Sequence, residues 1–253
     1  MIRALYTAAS GMNAQQANID NVAHNLANVN TTGFKKSRVE FEDLVYQQLR
    51  TPGTATSQET EAPIGLEAGL GSRPVATARN FGAGSLRATN SPLDLAIEGS
   101  GFFEIETPGG TRFTRAGNFK VQSDGLLTTM EDMPVAGVDG EIRLPVGPVM
   151  VTSDGTIRVG QTIAGKVKVV RFDNEDGLVR ESGTRFHAPD GVDATEVEEA
   201  RIFTRSLELS NVSVVERVAV LTETSRAFEA LQKGISVLMN EIDGRAINEL
   251  GRK

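Results

Sequence analysis

Both ends of this chain carry the same constraint. Ile2, Leu5, Ala9, Met12, Gln16, Ile19, Ala23 and Leu26 follow one another in steps of three and four. That spacing is a heptad stripe along one face of a helix, with Gln16 as its polar member. Near the other end Leu221, Phe228, Leu231, Ile235, Leu238 and Ile242 form a second stripe. A helix whose apolar stripe is this narrow gains most of its stability from whatever covers it. Between roughly residues 70 and 190 the pattern changes to short strands and glycine turns. The expected fold is therefore mixed α and β: N- and C-terminal helices pairing as a coiled coil, with a central all-β domain of barrel-like or sandwich-like kind. The expected divisions are 1–34 for the first helix and its turn, 35–72 for a weak helix and extended loop, 73–205 for the β-rich domain, and 206–253 for the last helix.

Composition removes several functions. Asp plus Glu number 33 against 26 Lys plus Arg, a formal charge of −7. There is no basic run to hold nucleic acid or an anionic membrane surface. Cysteine is absent, which rules out a disulfide framework and a thiolate nucleophile. A chain without cysteine can also enter an oxidising space without needing an isomerase. The opening MIRALYTAASGMNAQQ lacks the apolar run of a secretory signal, and no stretch approaches 18 consecutive apolar residues.

The first segment has two breaks in its pattern. Gly11 interrupts a helical stretch, as a tolerated surface glycine or as a point of close approach for a second helix. Asn28-Val29-Asn30-Thr31-Thr32-Gly33-Phe34 then ends the helix near residue 29 or 30. Asn and Thr compete for backbone hydrogen bonds, and Gly33 can take the left-handed conformation. Asn18, Asn21, Asn25 and Asn28 recur at helical spacing. They form either a solvated face or, the preferred reading, a set of amides reaching a neighbouring subunit's helix. His24 reads as structural.

Val39, Phe41, Leu44, Val45 and Leu49 suggest a weak amphipathic helix over 35–50, ending at Thr51-Pro52-Gly53. The following TPGTATSQETEAPIGLEAGLG has loop composition. A loop that long is either ordered by partners or a plain linker. Strands are expected at 93–98, 102–107, 111–115, 118–122, 126–129, 141–144, 149–152, 156–159 and 166–172, with Asp-Gly turns at 124–125, 139–140, 154–155, 176–177 and 190–191. Without helical crossovers these strands should pair antiparallel.

Catalytic patterns are missing. Gly99-Ser100-Gly101 lacks the third glycine and the following helix of a nucleotide fingerprint, and 173–177 lacks the glycine and distal glutamate of a calcium loop. Two histidines supply little general-base chemistry. A carboxylate glycosidase is the one enzyme class left open, and the chain is read as a non-enzyme with no cofactor and no metal.

Three separate blocks, in order along the chain, resemble one family. NLANVNTTGFK (25–35) and the opening MIRALYTAASGMNAQQ are similar to subunits of the bacterial flagellar rod and hook. So are SPLDLAIEGSGFF (91–103) with RFTRAGNFKV, and SNVSVVERVAVLTETSRAFEALQK (210–233). The resemblance implies an axial structural protein, a subunit of the hollow rod that transmits torque and carries exported subunits. It implies export without a cleaved signal through the flagellum's own channel, and a place in the periplasmic part of the basal body. The implied partners are copies of itself, adjacent rod and hook subunits, the export apparatus and the surrounding rings, with no nucleic acid and no direct membrane insertion.

On that reading the N-terminal assembly interface comprises Ile2, Leu5, Ala9, Met12, Ile19 and Leu26, together with Asn25, Asn28, Gly33 and Phe34. The C-terminal interface comprises Leu221, Phe228, Leu231, Ile235, Leu238 and Ile242. Pro52, Gly53 and Pro63 belong to an inter-subunit loop. Residues 40–46, 50–53 and 69–76 look like a distal rod subunit, whereas 103–107, 135–190 and 245–252 look more like a proximal one, and the balance falls to proximal. The alternatives are a hook-type subunit, for which the chain is short, and a soluble β-domain adaptor whose terminal helices form a private hairpin.

Overall fold

The computed structural model describes residues 2–50, 55–57, 60–61, 66–197 and 199–250. The chain is mixed α and β, with one helix at each end and strands between them. Helix α1 spans Ile2–Ala27 and α2 spans Val214–Leu250. The first helix stops where the Asn/Thr run begins, and Gly33 takes φ +69° just beyond it. The chain forms two compact units. One contains Met1–Leu26, Ser37–Ala78 and Val214–Lys253, and the other contains Ala27–Lys36 and Arg79–Ser213.

In the first unit the helix expected over 35–50 is absent. Ser37–Asp43 and Gln47–Arg50 are strands. The former pairs with Ser72–Arg79 and the latter with Leu66–Ala68. The apolar spacing at 39, 41, 44, 45 and 49 satisfies neither period cleanly. Isolated helices of this length are marginal in water, so an available ladder partner decides the outcome. The long segment expected as a loop thus supplies Leu66–Ala68 to the pairing with Gln47–Arg50, and Ala55–Ser57 pairs with Thr60–Glu61. Pro52, Gly53 and Pro63 lie outside the described residues.

The second unit is antiparallel β, with pairings that close mostly through short turns. A six-stranded sheet runs in the order Val179–Arg180, Arg185–His187, Gly110–Thr114, Phe102–Thr107, Val169–Phe172, Ala194–Glu196. A three-stranded sheet joins Val149–Val151, Thr156–Val159 and Thr162–Lys166. Successive side chains on a strand point to opposite faces, and Phe102 and Phe103 show the consequence. Phe103 enters one core with Leu95, Ile105, Leu127, Val135 and Ile157. Phe102 enters a second core with Phe113, Phe172 and Phe186. In the second core the rings meet edge to face at 4.8 to 5.8 Å, the geometry their quadrupoles favour. Fully burying side chains of this size contributes roughly 1.5–3 kcal/mol each.

Of the five Asp-Gly turns, four place the glycine at positive φ, at Gly125, Gly140, Gly155 and Gly191. The fifth, Gly177, ends a short 3-10 turn, Glu175–Gly177, instead.

Candidate assembly interface

Within the first unit, the covered row on α1 lies beside the stripe expected from sequence. Ala14, Val22 and Asn25 are buried. Leu5, Met12, Ile19 and Leu26, spaced by seven, are only half-buried, and Ala9, Gln16 and Ala23, also spaced by seven, are exposed. The side chain of Ile2 lies outside the described residues. On α2 the expected Leu221, Phe228, Leu231, Ile235 and Leu238 are half-buried, while the side chain of Ile242 is outside the described set. The helices approach at one glycine: a Cβ on Gly11 would lie 3.7 Å from Leu231 Cδ1, an ordinary contact. Other apolar groups are left open, with Tyr6 66%, Val215 82% and Val237 64% exposed.

Two asparagines of α1 bond within their own chain. Asn25 is fully buried and fits its amide to the backbone of Ser37. Its Nδ2 donates to Ser37 O at 2.7 Å, and its Oδ1 accepts from Ser37 N at 2.9 Å. The side chain thus acts as a strand neighbour at the first residue of Ser37–Asp43. Asn21 Nδ2 donates to Ser37 Oγ at 2.9 Å. The preferred sequence reading gave these two amides to a neighbouring subunit; they bind their own chain. Asn18 is half-buried.

In the second unit the turn after α1 is held by a buried group of charges. Thr31 closes on Asn28 through both its backbone N–H and its hydroxyl. Gly33 N donates to Glu208 O at 2.8 Å. A Cβ on Gly33 would lie 2.4 Å from Ala116 N and 2.5 Å from Arg115 C, so only glycine fits. Phe34, 1% exposed, is enclosed by its own chain beneath the Arg180 guanidinium, 4.7 Å from its ring centroid. Gly33 and Phe34 are therefore positioned by intramolecular packing.

The next residue is the centre of the group. Lys35 Nζ donates to Glu208 Oε1 at 2.6 Å and to Gly82 O at 2.9 Å. Glu208 also accepts from Gly84 N at 2.8 Å and lies 3.5 Å from Arg115 Nη1. All three charged side chains are 2% exposed or less. Burial pushes Lys35 and Arg115 below their ordinary values, and Glu208 opposes that shift in both. Asn211 completes the anchor, accepting from Lys36 N at 2.7 Å and donating to the carbonyls of Asn80 and Gly82. Sequence reading missed this group. Lys35, Arg115 and Glu208 are far apart in sequence, and none stands in a pattern that marks it.

The flagella basal body rod protein model matches residues 5–35, the flagellar hook protein FlgE/F/G D1 domain model matches 96–159, and the flagellar basal body rod FlgEFG protein C-terminal model matches 204–249. Over 259 residues the chain is 38% identical to the flagellar basal-body rod protein FlgG of Borreliella burgdorferi, covering 95% of this chain and 96% of that one. The chain belongs to the flagellar basal-body rod protein family. It is also 37% identical to the FlgG of Buchnera aphidicola from Acyrthosiphon pisum, over 93% of this chain and 95% of that one. The flagellar basal-body rod protein FlgF of Caulobacter vibrioides is 32% identical over 100% of this chain and 99% of its own.

The buried group takes one residue from each matched segment of this rod-family chain: Lys35 from the first, Arg115 from the second and Glu208 from the third.

Proposed function

We propose that the chain is a structural subunit of the flagellar rod. On this reading, copies stack helically with adjacent rod and hook subunits into a hollow shaft that transmits torque and carries exported subunits. Family membership supports the setting. The observation that carries the mechanism is the apolar surface left on both terminal helices, with Tyr6, Val215 and Val237 each more than 60% exposed. Single exposed apolar residues need no explanation. A half-covered row at seven-residue spacing, Leu5, Met12, Ile19 and Leu26, is what a helix keeps for a coiled-coil neighbour. The terminal helices of neighbouring copies would form the inner tube. The remaining parts of the reading are export without a cleaved signal, a periplasmic location within the rings, and a proximal rather than distal position. No catalytic role is assigned.

Leu26→Asp tests the mechanism. A charge placed in a covered apolar contact costs several kcal/mol unless it is paired. The expected result in cells lacking the native chain is loss of rods and motility, with the melting of the β unit unchanged. Normal rods from that variant would remove Leu26 from the tube.

A further inference from the structure

Arg79 and Arg180 of the second unit are half-buried cations held by backbone carbonyls. Arg79 Nη1 donates to Leu178 O at 3.1 Å, which brings its guanidinium to the backbone two residues before Arg180. Arg180 Nε donates to Gly183 O at 2.8 Å, and its guanidinium lies over the buried Phe34 ring. Both side chains are half-buried. Among the described residues, neither forms an ion pair, although eleven other pairs are present. The adjacent Glu181 does not serve them: it is held by Arg112, with Arg185 also lowering its pKa. Burial lowers Arg180 first, and the like charge of Arg79 lowers it further; burial also lowers Arg79.

We propose that Arg79 and Arg180 form a receptor for a carboxylate presented by a second copy of this chain. Several facts fit this occupant. Arg180 is fixed by a backbone carbonyl and an aromatic ring, so little side-chain freedom remains to be lost on binding. Arg79 uses one donor internally and keeps others available, and a guanidinium fork matches a carboxylate in geometry. An incoming anion would also relieve the repulsion between the two cations. Each copy carries 33 acidic residues against 26 basic ones, so a neighbour's surface is rich in the required group. The choice of a second copy as the source rests on the rod-assembly reading; the anion site itself does not.

The test has two arms on the full chain. In the first, the purified chain is titrated with acetate and, separately, with inorganic phosphate at fixed ionic strength, following the arginine side-chain resonances by NMR. The Arg79 and Arg180 signals are expected to move with both anions and to be unmoved by chloride. In the double variant Arg79→Gln/Arg180→Gln, the remaining arginine signals should not respond. In the second arm, that variant is expressed in cells lacking the native chain. Assembled rods should fall by about tenfold or more, the scale of one lost interfacial charge pair, while an unchanged melting curve shows the variant folded. No anion-dependent shift in the native chain would overturn the site. Strong preference for phosphate with normal rods from the variant would overturn the carboxylate of a second copy. Failure of the native chain itself to restore rods would overturn the assembly reading while leaving the titration result intact.

Discussion

Lys35 Nζ lies 2.6 Å from Glu208 Oε1, across 173 residues of sequence and with both side chains sealed from solvent. The pair joins the turn that follows α1 to the strand Ser206–Glu208, just before α2. Arg115 adds a second cation, so the buried group holds two positive charges and one negative. Desolvation of the ions offsets much of their attraction, so the group's net contribution is smaller than its contacts suggest.

Removing the one carboxylate should therefore be far worse than removing one cation. Glu208→Gln leaves Lys35 and Arg115 buried without a counter-charge, and breaking such a group costs about 3–5 kcal/mol. Urea unfolding of the purified chain should show a loss of that order. A change below about 1 kcal/mol, the range of surface pairs, would mean that the cluster is solvated in solution.

Gly33 and Gly99 separate conformational strain from steric overlap. Both have positive φ, +69° and +83°. A Cβ at Gly33 meets the backbone of Arg115 and Ala116, whereas one at Gly99 meets nothing within 4 Å. Gly99→Ala should cost about 1–2 kcal/mol, the left-handed penalty alone. Gly33→Ala should exceed it by about 1–3 kcal/mol for overpacking against backbone that cannot move aside. Equal losses would show that the turn is free to shift away from residues 115–116.

Asp154 gives a pH signature. Its carboxylate accepts from the hydroxyls of Thr152 and Thr156 and from Thr156 N, and these bonds hold its pKa down to about 2. With the folded value below the ordinary 3.8, the unfolded chain binds more protons in that interval. The contribution is complete above about pH 4 and is lost as pH falls toward 2. Asp154 is solvent-exposed, so the effect is modest. Stability measured from pH 5 to 2 should fall less steeply in Asp154→Asn than in the native chain. Identical slopes would show that the turn 152–156 does not hold the carboxylate in solution.

Much of the architecture was legible because it is local. Helical spacing marked α1 and α2, and the Asp-Gly pairs marked where the β chain turns. Alternation placed the strand Phe102–Thr107. The strand Ser37–Asp43 was not legible, since Val39, Phe41 and Leu44 fit a helical spacing nearly as well, and the deciding partner, Ser72–Arg79, lies some thirty residues on. Asn25 shows the same limit at the candidate interface. Its helical position was clear, but its partner Ser37 became visible only once the chain had turned back. The charged anchor was hidden for the strongest reason, because each of its three residues comes from a different matched segment.

On the proposed reading the terminal helices, through the row Leu5, Met12, Ile19 and Leu26, join one copy to the next. A side-chain-resolution map of the assembled rod by electron cryo-microscopy tests it most directly. This row, with the exposed Ala9 and Ala23 beside it, should be covered by helices of neighbouring copies. A map in which these residues face open solvent, with copies joined through their β units alone, would contradict it.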